Sequence, residues 1–173
     1  MPSDILITIL AYGHILSAIA WLGSGLLTGF ILGPNLRKMS PAAGLEFNAK
    51  VLPKILGFIR SAVISTFVFG LLLLYFFRDG DFSWLSGSTQ GYVLSFGILL
   101  ALVAGGLAFG VVVPSFNKVV KISNEVVQSG KMPPPPELMA SAKRARVAST
   151  IAVVILFVVL ALMVSSGFLF GFV

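Results

Sequence analysis

The chain has 173 residues, of which 57% are hydrophobic and only 10% charged, with no Cys and a formal net charge of +6. Residues 5–36, 61–77, 82–117 and 147–173 contain no Asp, Glu, Lys or Arg; a membrane-spanning helix needs roughly 20 mostly apolar residues, more than a buried helix of a soluble domain sustains without a charge. These figures exclude a soluble enzyme, and the missing Cys excludes disulfides, zinc–cysteine sites and iron–sulfur clusters.

The expected fold is therefore all-α: a polytopic membrane protein whose residues 1–173 form a single four-helix transmembrane bundle. The first span is predicted at 5–33. No Lys or Arg precedes it and the apolar run outlasts a signal core of about 7–15 residues, so it is expected to stay as a helix. Pro34 then ends or kinks it by removing a backbone donor. A second span is predicted at 55–77, closed into a hairpin by the turn Arg78-Asp79-Gly80-Asp81. The third is predicted at 91–117, and the spacing of Phe116, Val119, Val120, Val126 and Val127 points to an amphipathic extension reaching about Gln128. The run Pro133 to Pro136 reads as an extended spacer before a fourth span, which begins at about 141–143 and ends near 170.

Of the 12 cations, five lie between residues 37 and 60 and six between 118 and 146, while Arg78 sits in the opposite turn beside Asp79 and Asp81. Positive-inside reasoning makes the two long loops cytoplasmic, with N-out/C-out termini, in the cell (cytoplasmic) membrane. The basic face is expected to meet anionic lipid headgroups and not nucleic acid.

The two halves, residues 1–80 and 81–173, resemble each other. Ile31-Leu32-Gly33-Pro34-Asn35-Leu36-Arg37-Lys38 aligns with Val111-Val112-Val113-Pro114-Ser115-Phe116-Asn117-Lys118 at an offset of 80, and Arg60 with Ser65-Thr66 aligns with Arg144 and Ser149-Thr150 at an offset of 84. Both halves start on the same side, so they read as parallel-repeat helical hairpins about an axis along the membrane normal. The alternative is coincidence between stretches of similar composition. Gly25, Gly29 and Gly33 form a ladder on the first helix, and Ala101, Gly105, Gly106 and Gly110 a small-residue face on the third. Small residues let helix backbones approach, so these two faces are expected to pack on each other.

His14 is the only His. Nine residues beyond Ile5, at about 1.5 Å per residue, it falls close to the bilayer midplane, where an ionisable group is a functional candidate by default. Trp21, Gly25 and Thr28 share its helix face. Met163, ten residues before the chain end on an antiparallel helix, is expected at a similar depth. Imidazole with thioether suits haem iron or copper, so His14 and Met163 are candidate metal or cofactor ligands. The plainer reading is a neutral His14 bonded to Ser95, Ser165 or another group, with Met163 as packing. Arg60, a turn and a half inside the second helix, either snorkels to headgroups or captures an anionic group such as a haem propionate.

The stretch Gly13-His14-Ile15-Leu16-Ser17-Ala18-Ile19-Ala20-Trp21-Leu22-Gly23, followed by Pro34, resembles the first helix of CopD-like membrane proteins. With Lys50-Val51-Leu52-Pro53 and the Val113-Pro114 to Lys118 segment, the whole chain resembles the small four-helix proteins grouped as domain of unknown function 2269. That resemblance implies a four-helix bundle and, for CopD itself, a role in copper uptake or resistance, although the additional His and Met residues of a copper conduit are missing. The His then Trp-x-Gly pattern is also similar to the HemJ type of protoporphyrinogen oxidase, which implies haem at His14; no Lys falls inside the third helix as it would there. Three readings follow: a CopD-like protein holding haem b or copper through His14 for metal handling or electron transfer; a non-catalytic subunit of a larger membrane complex or homo-oligomer, with no cofactor; and a HemJ-like oxidase. No intramembrane base activates a hydroxyl, so an enzyme is the less expected outcome.

Overall fold

A computed structural model describes residues 4–77, 79–130 and 132–167. Five helices account for nearly all of them: α1 (Asp4–Leu36), α2 (Pro41–Lys50), α3 (Leu52–Phe77), α4 (Thr89–Ser129) and α5 (Pro136–Ser165). No strand occurs among the described residues. Helices α1, α3, α4 and α5 are each long and apolar enough to cross a membrane, so the chain is an all-α, multi-pass bundle. Four spans return the chain to the side on which it began. The expected end of the fourth span near 170, like Arg78 and Lys131, lies outside the described residues.

Two boundaries differ from expectation, both at a proline, while α4 continues past Pro114 as its amphipathic pattern implies. Helix α1 does not stop at Pro34 but continues to Leu36. Proline cannot donate, and its ring crowds the carbonyl four residues back; here one wider π turn, Leu27–Leu32, precedes it, with the Gly33 N–H pairing to the Thr28 carbonyl five residues back. The Asn35 side chain donates to the Ile31 carbonyl at 2.7 Å. The same device recurs in α4, where the π turn Ala108–Val112 precedes Pro114 and the Val113 N–H reaches Ala108. Helix α4 thereby runs unbroken from its Ser88 cap, whose Oγ accepts from the Gly91 N–H at 3.0 Å, to Gly130, which closes it in the left-handed conformation at φ 64°. Finally, Pro136 does not belong to a spacer; it opens α5, because at the first helical position a missing N–H leaves nothing unpaired.

Two hydrophobic clusters hold the molecule. At the basic end, α2, the foot of α3, the extension of α4 and the start of α5 bury Leu45, Leu56, Val119, Ile122, Val126 and Leu138. This core lies where the helices carry charges, and burying each such side chain from water contributes about 1.5–3 kcal/mol. The exposed Lys118–Glu137 pair at 2.9 Å adds at most about 1 kcal/mol. The second cluster, around Trp21, Ile59, Val63, Ala104 and Leu156, lies within the apolar spans. Lipid is as apolar as these side chains, so close packing has to hold them together there.

That packing does not follow the expected pairing of the first and third spans. Helix α1 packs chiefly on α3, and the membrane part of α4 chiefly on α5, giving two hairpins. The hairpins meet where Gly25 of α1 faces Val153 of α5 and Gly105 of α4 faces Phe67 of α3; a Cβ on either glycine would come within 2.7 Å of that neighbour. Gly29, Gly106 and Gly110 have nothing within 4 Å of a Cβ position, and Gly33 would meet only the Thr28 carbonyl of its own helix, at 3.1 Å. The ladder therefore contributes one packing residue, because the pairing of α1 with α3 turns the others away.

Candidate functional site: an apolar cavity around His14

The gap between the two hairpins is a cavity of about 320 Å³ bounded by all four spans. His14 and Trp21 line it from α1, Thr66 and Gly70 from α3, Leu94 from α4 and Met163 from α5. Apart from His14 and Thr66, its side chains are apolar. Three of the four candidate cofactor residues, His14, Trp21 and Met163, thus share one cavity despite lying at opposite ends of the chain.

His14 is held by the backbone of α3. Its Nδ1 lies 2.9 Å from the Thr66 carbonyl oxygen, neither Ser95 nor Ser165 being its partner. A carbonyl only accepts, so Nδ1 carries the proton and Nε2 keeps its lone pair for a group in the cavity. Pairing one ring nitrogen with a backbone carbonyl is also how metal-ligating histidines are oriented. The approach depends on glycine: a Cβ on Gly70 would fall 2.8 Å from His14 Cε1 and Nδ1, and a Cβ on Gly13 would fall 2.8 Å from the Phe69 ring. The Trp21 indole, buried to 5% exposure, packs on Phe67 with ring centroids 5.9 Å apart.

The hydroxyls nearby are committed to their own helices. Thr66 Oγ1 donates to the Ala62 carbonyl at 2.8 Å, Ser17 to Gly13 at 2.7 Å and Ser24 to Trp21 at 2.8 Å. Back-bonding of this kind satisfies a hydroxyl in an apolar medium. It leaves His14 as the polar group presented to the cavity.

Arg60 does not join the cavity. It lies six residues before Thr66, about 9 Å along α3, and its Nη2 donates to Asn117 Oδ1 at 2.8 Å. The cause is the unbroken passage of α4 through Pro114, which carries Asn117 down beside the foot of α3. Among the described residues, Arg60 Nε is buried without a hydrogen-bond partner. Among the described residues no group of three or more His, Cys, Asp or Glu stands together as a metal site.

Sequence reading missed Gly70, Gly13 and the Thr66 carbonyl. Lone glycines inside long apolar helices mark close backbone approach, which was a usable signal for the first two. A backbone acceptor has no residue signature at all. No protein-family model, curated protein or solved structure matches this chain.

Proposed function

We propose that this membrane protein binds b-type haem in the central cavity for electron transfer in the bilayer, where His14 and Met163 would hold it. The observation that carries the reading is His14 itself: its Nδ1 is anchored on the Thr66 carbonyl, which leaves Nε2 free at the wall of an apolar cavity that Met163 also lines.

The donor set favours haem over bare copper. One imidazole and one thioether are too few side chains for an ordinary metal site, whereas a tetrapyrrole brings its own four nitrogens and needs only the axial positions filled. When bound, the iron supplies one-electron redox chemistry. The protein's part is binding and orientation: Gly70 sets the distance of the imidazole from α3, the hydrogen bond to Thr66 holds its tautomer, and Trp21 and the aliphatic lining exclude water. The similarity of the His14 and Trp21-Leu22-Gly23 pattern to the HemJ type, which implies haem at His14, points the same way, whereas the CopD-like resemblance implies copper.

The protein purified from haem-sufficient membranes is expected to show a Soret band at one haem per chain. His14→Ala abolishes the band, and Met163→Leu retains haem but changes its spin state. A colourless wild-type protein, or a band that survives His14→Ala unchanged, overturns the proposal.

A further inference from the structure

A second recess lies on the outer flank of the first hairpin, between α1 and α3. It is a groove of about 510 Å³ lined by Ile19, Ala20, Gly23 and Thr28 of α1 and by Lys54 and Phe58 of α3. Its floor is made of small residues, and a Cβ on Gly23 would meet nothing within 4 Å. The Thr28 hydroxyl donates to the Ser24 carbonyl at 2.7 Å, so the walls are effectively apolar. From Ile19 to Thr28 the groove extends about 13 Å along α1, close to half of a hydrocarbon core of about 30 Å, which is the depth of one leaflet.

The charge at its mouth is the second observation. Lys54 stands at the shallow end, where α3 begins, and no carboxylate lies within ion-pair distance of it among the described residues. Lys50 and Lys118, by contrast, are paired with Glu46 and Glu137. A cation at headgroup level above a channel one leaflet deep complements an amphiphile with an anionic head and one long chain. We infer that this groove holds a phospholipid of the surrounding bilayer with an anionic headgroup, its phosphate at Lys54 and one acyl chain running along Gly23 toward Ile19. Ile19 also lines the central cavity and is 62% exposed. The chain end of the lipid therefore covers the flank of the cavity there. The site does not depend on what the central cavity binds.

The test is native mass spectrometry of the full chain released from nanodiscs containing equal phosphatidylglycerol and phosphatidylcholine. Wild-type protein is expected to retain one phosphatidylglycerol in preference to phosphatidylcholine. Lys54→Gln removes one headgroup contact and lowers that preference about fivefold, the worth of one cation near an anionic surface. Gly23→Leu fills the groove and reduces retention of both lipids. Lys121→Gln, at an exposed cation away from the groove, leaves the preference unchanged. Equal retention of the two lipids by the wild type, an unaltered preference in Lys54→Gln, or an equal loss in Lys121→Gln overturns the assignment.

Discussion

The two hairpins offer the same positions to the central cavity and fill them differently. At the offset of 80 residues, His14 corresponds to Leu94 and Trp21 to Ala101, and all four line the cavity. Gly25 corresponds to Gly105, and both are the close-contact glycines through which the hairpins meet. Both halves also carry a π turn directly before their Pro. Packing features recur, while the polar feature occurs once. Where the first half places an imidazole on the Thr66 carbonyl, the second buries Leu94 to 3% exposure. At the offset of 84 residues, Gly70 corresponds to Val154, which faces outward at 58% exposure. The comparison teaches that the site needs a His and also a glycine on the adjacent helix to receive it, and only the first hairpin has both.

The sharpest way to break this comparison is Gly70→Leu. The new side chain starts 2.8 Å from the imidazole and drives it off the Thr66 carbonyl. The Soret band expected of the proposed haem should fall at least tenfold, as one displaced hydrogen bond and ligand geometry are worth about 1.4 kcal/mol or more. Val154→Leu, at the corresponding position of the second hairpin, should leave the band intact.

Moving the chemistry to the other half is the next test. Leu94→His places a second imidazole at the cavity without a glycine opposite to receive it. Burial of a polar group lacking its partner should destabilise the protein by about 1–3 kcal/mol in detergent unfolding. Stability equal to the wild type would show that the second hairpin supplies an acceptor after all.

Gly25→Leu and Gly105→Leu test the shared contact between hairpins. Each should cost about 1–3 kcal/mol by overpacking, and by similar amounts if the two contacts are equivalent. Gly29→Ala and Gly110→Ala, with open space at both positions, should stay within about 0.5 kcal/mol of the wild type. Smallest in its effect on the cavity is Asn117→Ala. It removes the acceptor of Arg60 and should cost about 1 kcal/mol of stability while the absorption spectrum stays unchanged.

Part of the candidate site was legible as a single residue: one His inside an apolar span is an ionisable group that draws attention to its surroundings, and it does line the cavity. Met163 lines the same cavity, but counting from the span ends does not place it there. Helix α5 closes at Ser165, two residues beyond Met163, whereas His14 lies ten residues beyond the start of α1 at Asp4. The helix face carrying Trp21 was likewise readable from the 3.6-residue period. The sequence left Arg60 between headgroups and a bound anion; its bond to Asn117 depends on how the foot of α3 meets α4, which no residue of either helix announces. The Gly ladder was over-read for a related reason. Small residues show where a helix could approach another, and which helix comes is decided elsewhere.

Composition and charge pattern by themselves determined the number of spans, the concentration of the cations at one end and the presence of a single His inside an apolar span. These follow from transfer energetics, which act on each segment separately. The tertiary structure alone decided that α1 pairs with α3, that one backbone carbonyl orients His14, and that an apolar cavity remains between the hairpins. Within lipid no difference in hydrophobicity distinguishes one helix partner from another, so close packing and the pairing of polar groups make that choice, and both depend on surfaces that exist only once the helices have met.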